Sequence, residues 1–245
     1  MNIALIGFGG MNRVVHRLAL ERGHDISVII DPHAEERTSP MLSPALLSGV
    51  DMVIDFSSAT AVLNNVKTCV EAEVNLVVGT TGWGEQREEV RRLVENSSIG
   101  FLWSSNFSIG VNLYFKLMER AAELMNRFDE YDVWGHEIHH CNKADSPSGT
   151  AKTLGEILIK AMDRKTVMVD EKLNRRREPH EIHFSSVRGG LVNFGHTVGF
   201  DSAADTITLS HSARNRDGYA LGAIKAAEWL KGKRGFFGME DFLQI

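Results

Sequence analysis

Short, mostly apolar runs alternate with amphipathic helical patterns along the first hundred residues. Residues 2–6, 26–30, 50–56, 75–78 and 100–103 are apolar runs bounded by glycine, asparagine or aspartate, which predicts buried strands. Between them, 11–22, 59–72 and 84–96 carry helical periodicity; in the first, Val14, Val15, Leu18 and Ala19 form one stripe. Strands that are apolar on both faces and alternate with helices build a parallel sheet covered on both sides, so this region is expected to be a Rossmann-like α/β domain.

The pattern changes after residue 106. Residues 111–128 and 150–162 are helical, and 131–140 alternates like a half-buried strand. Strand patterns then dominate at 181–187, 196–200 and 206–211. This predicts an inserted α+β domain built on a mixed open sheet. The apolar helix at 218–230 is expected to return to the first domain. The expected division is 1–106 with 213–245 as one domain, and 107–212 as a second, inserted domain.

Composition narrows the function classes. The 245 residues are 43% hydrophobic and 24% charged with net charge -5, ordinary for a globular chain and without the basic surplus of a general nucleic-acid binder. No apolar run is long enough to span a bilayer, and the first residues lack the basic start and apolar stretch of a signal peptide. Cys69 and Cys141 have no zinc-like spacing and are expected to be reduced thiols in a cytosolic protein, with Cys69 a small buried apolar group. No cluster argues for a metal.

Two regions carry chemistry. Gly7-Phe8-Gly9-Gly10-Met11-Asn12 lies between the first strand and the first helix, where glycines permit a tight turn and let backbone N–H groups approach a diphosphate. Asn12 stands where the fingerprint has its third glycine, the one that permits close helix–strand packing. Asp31 ends the second strand, the place of an acid that binds adenosine ribose hydroxyls; beside Pro32 it can equally start a turn. No arginine follows it directly, and Arg37 is the nearest candidate for a 2′-phosphate, so the balance favours NADH over NADPH. Gly79, Thr80 and Thr81 follow the strand ending at Val78, and Ser104, Ser105, Asn106 and Phe107 follow the strand ending at Trp103. Strand ends of this kind hold ligands in open α/β sheets.

The second region is Glu137-Ile138-His139-His140-Cys141-Asn142-Lys143-Ala144-Asp145-Ser146-Pro147-Ser148-Gly149-Thr150-Ala151. Histidine exchanges protons near neutral pH and lysine adds positive charge. Ser146-Pro147 predicts a helix start, and Gly149 and Thr150 would present first-turn N–H groups and a hydroxyl to a carboxylate. Each residue alone has a structural reading: adjacent histidines on a strand face opposite ways, and Lys143 can be a solvated loop charge. Together, on one strand–loop–helix connection, they point to an anion site with proton donors.

This segment resembles the E-x-H-H-x-x-K-x-D-x-P-S-G-T-A signature of the dihydrodipicolinate reductases. Asp55-Phe56-Ser57, Gly79-Thr80-Thr81-Gly82, Asn106-Phe107-Ser108-Ile109-Gly110-Val111-Asn112 and His211-Ser212-Ala213 with Arg216 resemble further motifs of that family, in its order. The glycine turn departs from the commoner G-x-x-G-x-M-G form. The resemblance implies NAD(P)H-dependent reduction of (2S,4S)-4-hydroxy-2,3,4,5-tetrahydrodipicolinate to tetrahydrodipicolinate with loss of water, in diaminopimelate and lysine biosynthesis. It implies His139 as proton donor/acceptor and Lys143 as second proton donor. His140, Gly149 and Thr150 would contact the substrate carboxylates. Gly7 to Asn12, Asp31, Gly79 to Thr81 and Ser104 to Phe107 would contact the cofactor. It further implies that 1–106 with 213–245 is the dinucleotide-binding domain and 107–212 the substrate-binding and oligomerisation domain, with a homotetramer built on the latter's sheet. Closure about segments near Asn106 and Ser212 is expected.

Two other functions fit parts of the pattern: a different Rossmann-type dehydrogenase acting on an amino-acid-like substrate, and a non-catalytic nucleotide sensor, which would need no proton donor. Arg175-Arg176-Arg177 is expected in a solvated loop. Trp134, Phe184 and Phe236 are expected in the core or an interface. His183, His196 and His211 sit on strands, with a substrate role open for one of them.

Overall fold

The computed structural model describes residues 1–245. The elements in chain order are β1 (Asn2–Ile6), α1 (Gly10–Glu21), β2 (Asp25–Ile30), β3 (Met52–Asp55), α2 (Val62–Glu71), β4 (Asn75–Val78), α3 (Arg87–Glu95) and β5 (Gly100–Trp103). There follow α4 (Ile109–Met125), β6 (Asp132–His139), α5 (Gly149–Ala161), β7 (Val167–Val169), β8 (Glu181–Arg188), β9 (Phe194–Asp201), β10 (Thr206–Ala213), α6 (Asp217–Leu230), β11 (Gly235–Phe237) and α7 (Met239–Leu243). The chain divides into two compact units, Met1–Ile109 with Arg216–Ile245, and Gly110–Asn215.

The first unit is a Rossmann-like layer sandwich. Its six strands are all parallel, in the order β2-β1-β3-β4-β5-β11. Helices cover both faces, which is why these strands read as continuous apolar runs. Ile3, Leu5, Ile54 and Leu102 pack on the side of α1 and α6, while Ala4, Val53, Leu76 and Phe101 pack on the side of α2 and α3. Strand order reverses between β1 and β3, so a crevice opens at their carboxyl ends. There the backbone is tightly apposed. Gly7 has φ +76°, and a Cβ on it would lie 2.6 Å from the Phe56 carbonyl oxygen. Gly79 likewise leaves room for the Phe56 ring. α6 is rich in buried alanine and so comes close to its neighbours; a Cβ on Gly222 would lie 1.8 Å from the carbonyl oxygen of Phe107.

The pattern places these elements correctly but misses three at the C-terminal side and on edges. β7 and β11 are three residues each, too short for a period-2 signal, and α7 is five. The helix expected at 84–96 opens instead as a 3₁₀ turn at Gly84–Gln86, because Gly82 (φ +84°) turns the chain and the Trp83 indole is held by the Thr80 carbonyl at 2.8 Å.

The second unit is a mixed sheet, β10-β9-β6-β8-β7, with β6 parallel to β8 and antiparallel to β9. α4 and α5 cover one face. The inward residues of β6 are Val133, Gly135, Glu137 and His139, following its alternating burial. Pairing sets Gly135 beside Phe184, Glu137 beside Ser186 and His196, and His139 beside Arg188 and Phe194. The inner face is therefore apolar at one end, where Val133, Phe184, Val198 and Phe200 meet Met118 and Leu154, and polar at the other. On the opposite face Trp134 packs on Gly199 and stacks on His136, their rings 6.0 Å apart.

Arg175, Arg176 and Arg177 lie in a loop, as expected, with Arg175 and Arg176 exposed, but two of them also carry tertiary ion pairs. Arg175 forks onto Glu181 at 2.9 and 2.5 Å, and Arg177 bonds Asp132 and the carbonyls of Glu178 and Glu181. Asp132 also takes the buried Lys165 ammonium at 2.6 Å. The basic run thus ties the start of β6 to the start of β8, a tertiary role that local charge pattern does not reveal.

Gly222→Ala is expected to destabilise the chain by about 1–3 kcal/mol through overpacking against a backbone atom. Gly84→Ala, whose Cβ meets nothing within 4 Å, should stay within about 0.5 kcal/mol of the parent. Urea unfolding midpoints decide this, and equal midpoints for the two variants would contradict it.

Candidate active site

The glycine turn delivers α1 with its first N–H groups unengaged. Gly9 caps α1 without a side-chain bond, and the first turn holds no acidic residue. A Cβ on Gly9 would meet nothing within 4 Å, so its backbone faces open space. A Cβ on Gly10 would lie 3.0 Å from the Arg216 guanidinium, so a second positive group stands beside the helix start. Two positive poles side by side suit an anion between them. Asn12 explains how the turn manages without a third glycine: it is fully buried, and its Nδ2 donates to the carbonyls of Ile6 at 2.9 Å and Gly7 at 2.6 Å. Phe8 is buried against His16, with Arg13 over its ring.

Asp31 fastens this turn from the side. Its carboxylate accepts N–H bonds from Phe8 at 2.7 Å, His33 at 2.7 Å and Ala34 at 2.8 Å. Burial pushes its pKa up, but the three N–H donors outweigh it and hold the carboxyl below its ordinary value, so it is anionic at neutral pH. Asp31, Gly7, Gly9, Pro32, Met41 and Ser57 border a cavity of about 560 Å³ whose lining includes no lysine or arginine. Arg37 is turned onto the Ala34 carbonyl at 2.8 Å, and Arg13 is paired with Glu36 at 2.5 Å. A volume of this size, next to a free helix N-terminus, fits one half of a dinucleotide.

A smaller hollow of about 230 Å³ is bordered by Met11, Phe56, Ser57, Gly79, Thr80 and Thr81. Here the Thr80 side chain faces inward: its hydroxyl donates to Asp55 at 3.1 Å and accepts from Ser57 N–H at 2.9 Å. Asp55, fully buried, also accepts from Ser57 N–H and Asn65, each at 2.8 Å. Burial pushes its carboxyl up in pKa against these bonds. Asp55 and Asn65 were given no role by sequence reading; a carboxylate in an otherwise apolar strand was the available signal. Ser104 bonds the Asn106 carbonyl at 2.8 Å, and Phe107 is buried against Phe56, rings 6.1 Å apart. Ser104, Ser105, Asn106 and Phe107 border neither hollow.

In the second unit, β6 and the connection to α5 gather the remaining predicted residues. His139 is buried, with Nε2 3.1 Å from Glu137 Oε2 and Nδ1 without a hydrogen-bond partner. Burial lowers its pKa first; Glu137 opposes this, while His196, Lys143 and Arg188 add to it. His140 is half-buried, its ring 6.3 Å from that of Phe194. Lys143 pairs with Asp145 at 2.6 Å. Ser148, not Ser146, caps α5: its Oγ accepts Ala151 N–H at 3.2 Å. Gly149 and Thr150 form the first turn, which has no acidic residue, and a Cβ on Gly149 would meet nothing within 4 Å.

Glu137 organises this end and was given no role by sequence reading. It is fully buried and accepts from Ser148 N–H at 3.1 Å, Ser186 Oγ at 2.9 Å and Arg188 at 2.7 Å, with His196 Nε2 at 3.3 Å. Burial alone would raise its pKa, yet bonds from His196, Ser148, Arg188 and Ser186 together hold it far below the carboxylate range. Its position two residues before His139 on an alternating strand was the signal. Donor atoms of Glu137, His139 and His196 lie within 4.8 Å of one another, a spacing that can suit a cation. The guanidinium of Arg188 already neutralises the carboxylate, so this trio is a hydrogen-bond hub.

Because Glu137 titrates below its unfolded value, its stabilisation is present above about pH 4.3 and is lost as pH falls below that. The stability gap between the parent and Glu137→Gln should therefore shrink by about 1.4 kcal/mol per pH unit below about 4.3. Urea midpoints at pH 7 and pH 3.5 test this, and an unchanged gap contradicts it.

Comparison with known proteins gives a consistent result. A family profile described as dihydrodipicolinate reductase, N-terminus, matches residues 1–107, and one described as dihydrodipicolinate reductase, C-terminus, matches 110–243. The chain is 36% identical over 244 residues to a 4-hydroxy-tetrahydrodipicolinate reductase of Christiangramia forsetii, covering 99% of this chain and 98% of that one. It is 41% identical over 206 residues to the protein of that name from Chromobacterium violaceum, covering 82% and 76%. Among solved structures, dipicolinate-bound dihydrodipicolinate reductase from Paenisporosarcina sp. TG-14 superposes with TM-score 0.79 at 21% identity, over 98% of each chain. An engineered D-amino acid dehydrogenase bound to NADP+ superposes with TM-score 0.51 at 15% identity, over 97% and 92%. Both likenesses bear on the fold.

Proposed function

Since this chain belongs to the dihydrodipicolinate reductase family, we propose a division of labour in which the first unit holds NADH and the second carries the proton donors and substrate-carboxylate contacts. The chain is an oxidoreductase, and its reaction is the reduction of 4-hydroxy-tetrahydrodipicolinate to tetrahydrodipicolinate in diaminopimelate and lysine biosynthesis. Membership sets aside the nucleotide-sensor and other-dehydrogenase readings.

A nicotinamide cofactor, when bound, supplies hydride. The chain's own residues do the rest. The α1 N-terminus at Gly9 and Gly10, with Arg216, holds the diphosphate, and Asp31 accepts from the adenosine ribose. Phe8 and Asn12 keep that turn in shape. Met11, Gly79, Thr80 and Thr81 border the nicotinamide side, and Ser104, Ser105, Asn106 and Phe107, which follow β5 outside that hollow, are further cofactor contacts in this reading. His139 gives a proton to the substrate and Lys143 serves as the second donor. His140 and the free first-turn N–H groups at Gly149 and Thr150 take the carboxylates of a small dianion.

The observation that carries this reading is the His139 imidazole: one nitrogen is held by a buried anion and the other is bare, on the strand whose connection leads to a helix start at Gly149 free of acidic residues. NADH is favoured over NADPH because Asp31 is anionic and the cavity beside it is bordered by Pro32, Pro40 and Met41 instead of a cation. The uncovered sheet face of the second unit, with Trp134, His136, Ile138 and exposed Val187, supports a homotetramer built on that sheet. The free, exposed thiol of Cys141 fits a reducing cytosol, and no helix is long and apolar enough to cross a membrane.

In a 340 nm assay with substrate made in situ by a coupled synthase, kcat/KM should favour NADH over NADPH at least about tenfold. His139→Gln should lower kcat by about 10²–10³-fold while the NADH Kd stays within about twofold. No oxidation of either cofactor, or an equal loss of turnover and cofactor binding in the variant, would refute the assignment.

A further inference from the structure

We propose that Glu137 is the positioning residue for proton transfer at His139: its carboxylate takes the Nε2–H, fixes the ring in that tautomer, and leaves Nδ1 as the nitrogen that exchanges a proton with substrate. This rests on His139 being the proton donor.

The geometry follows from strand period. Glu137 and His139 are two apart on β6 and both point inward, which brings Oε2 to 3.1 Å from Nε2. Glu137 cannot swing away. Its carboxylate is locked by Ser148 N–H from α5, by Ser186 and Arg188 from β8, and approached by His196 from β9. Ser148 N–H, Ser186 Oγ–H and Arg188 can only donate to it, whereas His196 Nε2 also lies 3.0 Å from Ser148 Oγ; three fixed donors keep the carboxylate an acceptor, which puts the shared hydrogen on the imidazole of His139. A ring whose Nε2 carries hydrogen is neutral with an acceptor at Nδ1, or cationic with a donor there.

Nδ1 of His139 is the second observation. It is shut from solvent and has no partner in the structure. A buried polar atom left bare costs free energy and calls for an explanation, a catalytic role among them; in the same cluster His196 Nδ1 and Arg188 Nε are bare as well. The side chain is 3% exposed, so few groups can reach it. Charged and titratable groups that act on the ring are Glu137 on β6, Arg188 on β8, His196 on β9 and Lys143 on the connection to α5; Asp145 balances Lys143. Among the groups that act on the ring only Glu137 favours the imidazolium, while His196, Lys143 and Arg188 oppose it.

The step balances simply. The imidazolium Nδ1–H bond breaks and its electron pair stays on Nδ1. The proton joins the electron pair on the substrate atom made basic by hydride addition. The ring is left neutral, with hydrogen on Nε2 still bonded to Glu137, and Nδ1 must regain its proton before the next turnover.

The test uses the full chain as parent, Glu137→Gln and Glu137→Asp. In ring-nitrogen correlation NMR at pH 8, parent His139 is expected as the Nε2–H tautomer; an Nδ1–H tautomer overturns the proposal. In pH–rate profiles, Glu137→Gln is expected to lower kcat about 10²-fold, leave the NADH Kd within about twofold, and move the His139 limb to lower pH, since the anion that raises that pKa is gone. Glu137→Asp should recover at least about tenfold of the loss and return the limb towards the parent. An unmoved limb with parent-like kcat overturns the proposal. If Glu137→Gln does not fold, the parent tautomer and the Glu137→Asp limb still decide it. Should the parent show the Nε2–H tautomer but oxidise neither cofactor, the functional reading fails while the role of Glu137 in fixing the ring stands.

Discussion

A carboxylate sealed from water must be surrounded by donors, and the burial of Glu137 imposes this on the whole polar end of the second sheet. Its partners come from the start of α5, from β8 and from β9, so three strands and a helix can meet there in one register only. A slip of one residue on β6 would send Glu137 and His139 to the outer face and bring Trp134, His136 and Ile138 inward. The apolar half of the same face, with Phe184 and Phe200 against Met118 and Leu154, supplies the stability that makes such a buried anion tolerable.

The same device recurs in the cofactor unit. Asp31, just past β2, takes the N–H of Phe8 and so shapes the glycine turn. Asp55, at the end of β3, takes the N–H of Ser57 and the hydroxyl of Thr80 and so ties two strand-end loops together. Glu137 takes the N–H of Ser148 and so fixes the start of α5. In each case an acid at a strand end is turned inward onto backbone that borders a candidate ligand site. Rigidity is thereby placed beneath the loops that bind, while the helix N-termini at Gly9 and Gly149 stay free to meet anions.

Most of the architecture is legible in the chain because its main signals are local. Parallel strands buried on both faces announce themselves as apolar runs, and β6 announces its inward row by alternation. Edge strands β7 and β11 are too short to carry either signal. Residue types at the glycine turn and at His139 to Thr150 mark candidate chemistry, since glycine, histidine and lysine in those contexts have specific uses. What stays hidden depends on register. Nothing near Ser186, Arg188 or His196 in sequence says that they converge on Glu137; only the pairing of β6 with β8 and β9 does so. Asn12 is the opposite case, a residue that reads as a departure from the fingerprint and turns out to staple the turn by bonding the carbonyls of Ile6 and Gly7. Arg175 and Arg177 are loop charges, as their composition suggests, but their pairing with Glu181 and Asp132 is visible only through the fold.

The central claim is that an ionised Glu137 holds the hydrogen-bearing Nε2 of His139 and keeps Nδ1 bare for the substrate. Neutron diffraction from deuterium-exchanged crystals of the full chain observes this directly. The account predicts deuterium on Nε2 along the line to Glu137 Oε2 and none on either carboxylate oxygen. Deuterium on a Glu137 oxygen, with His139 Nε2 bare, would contradict it.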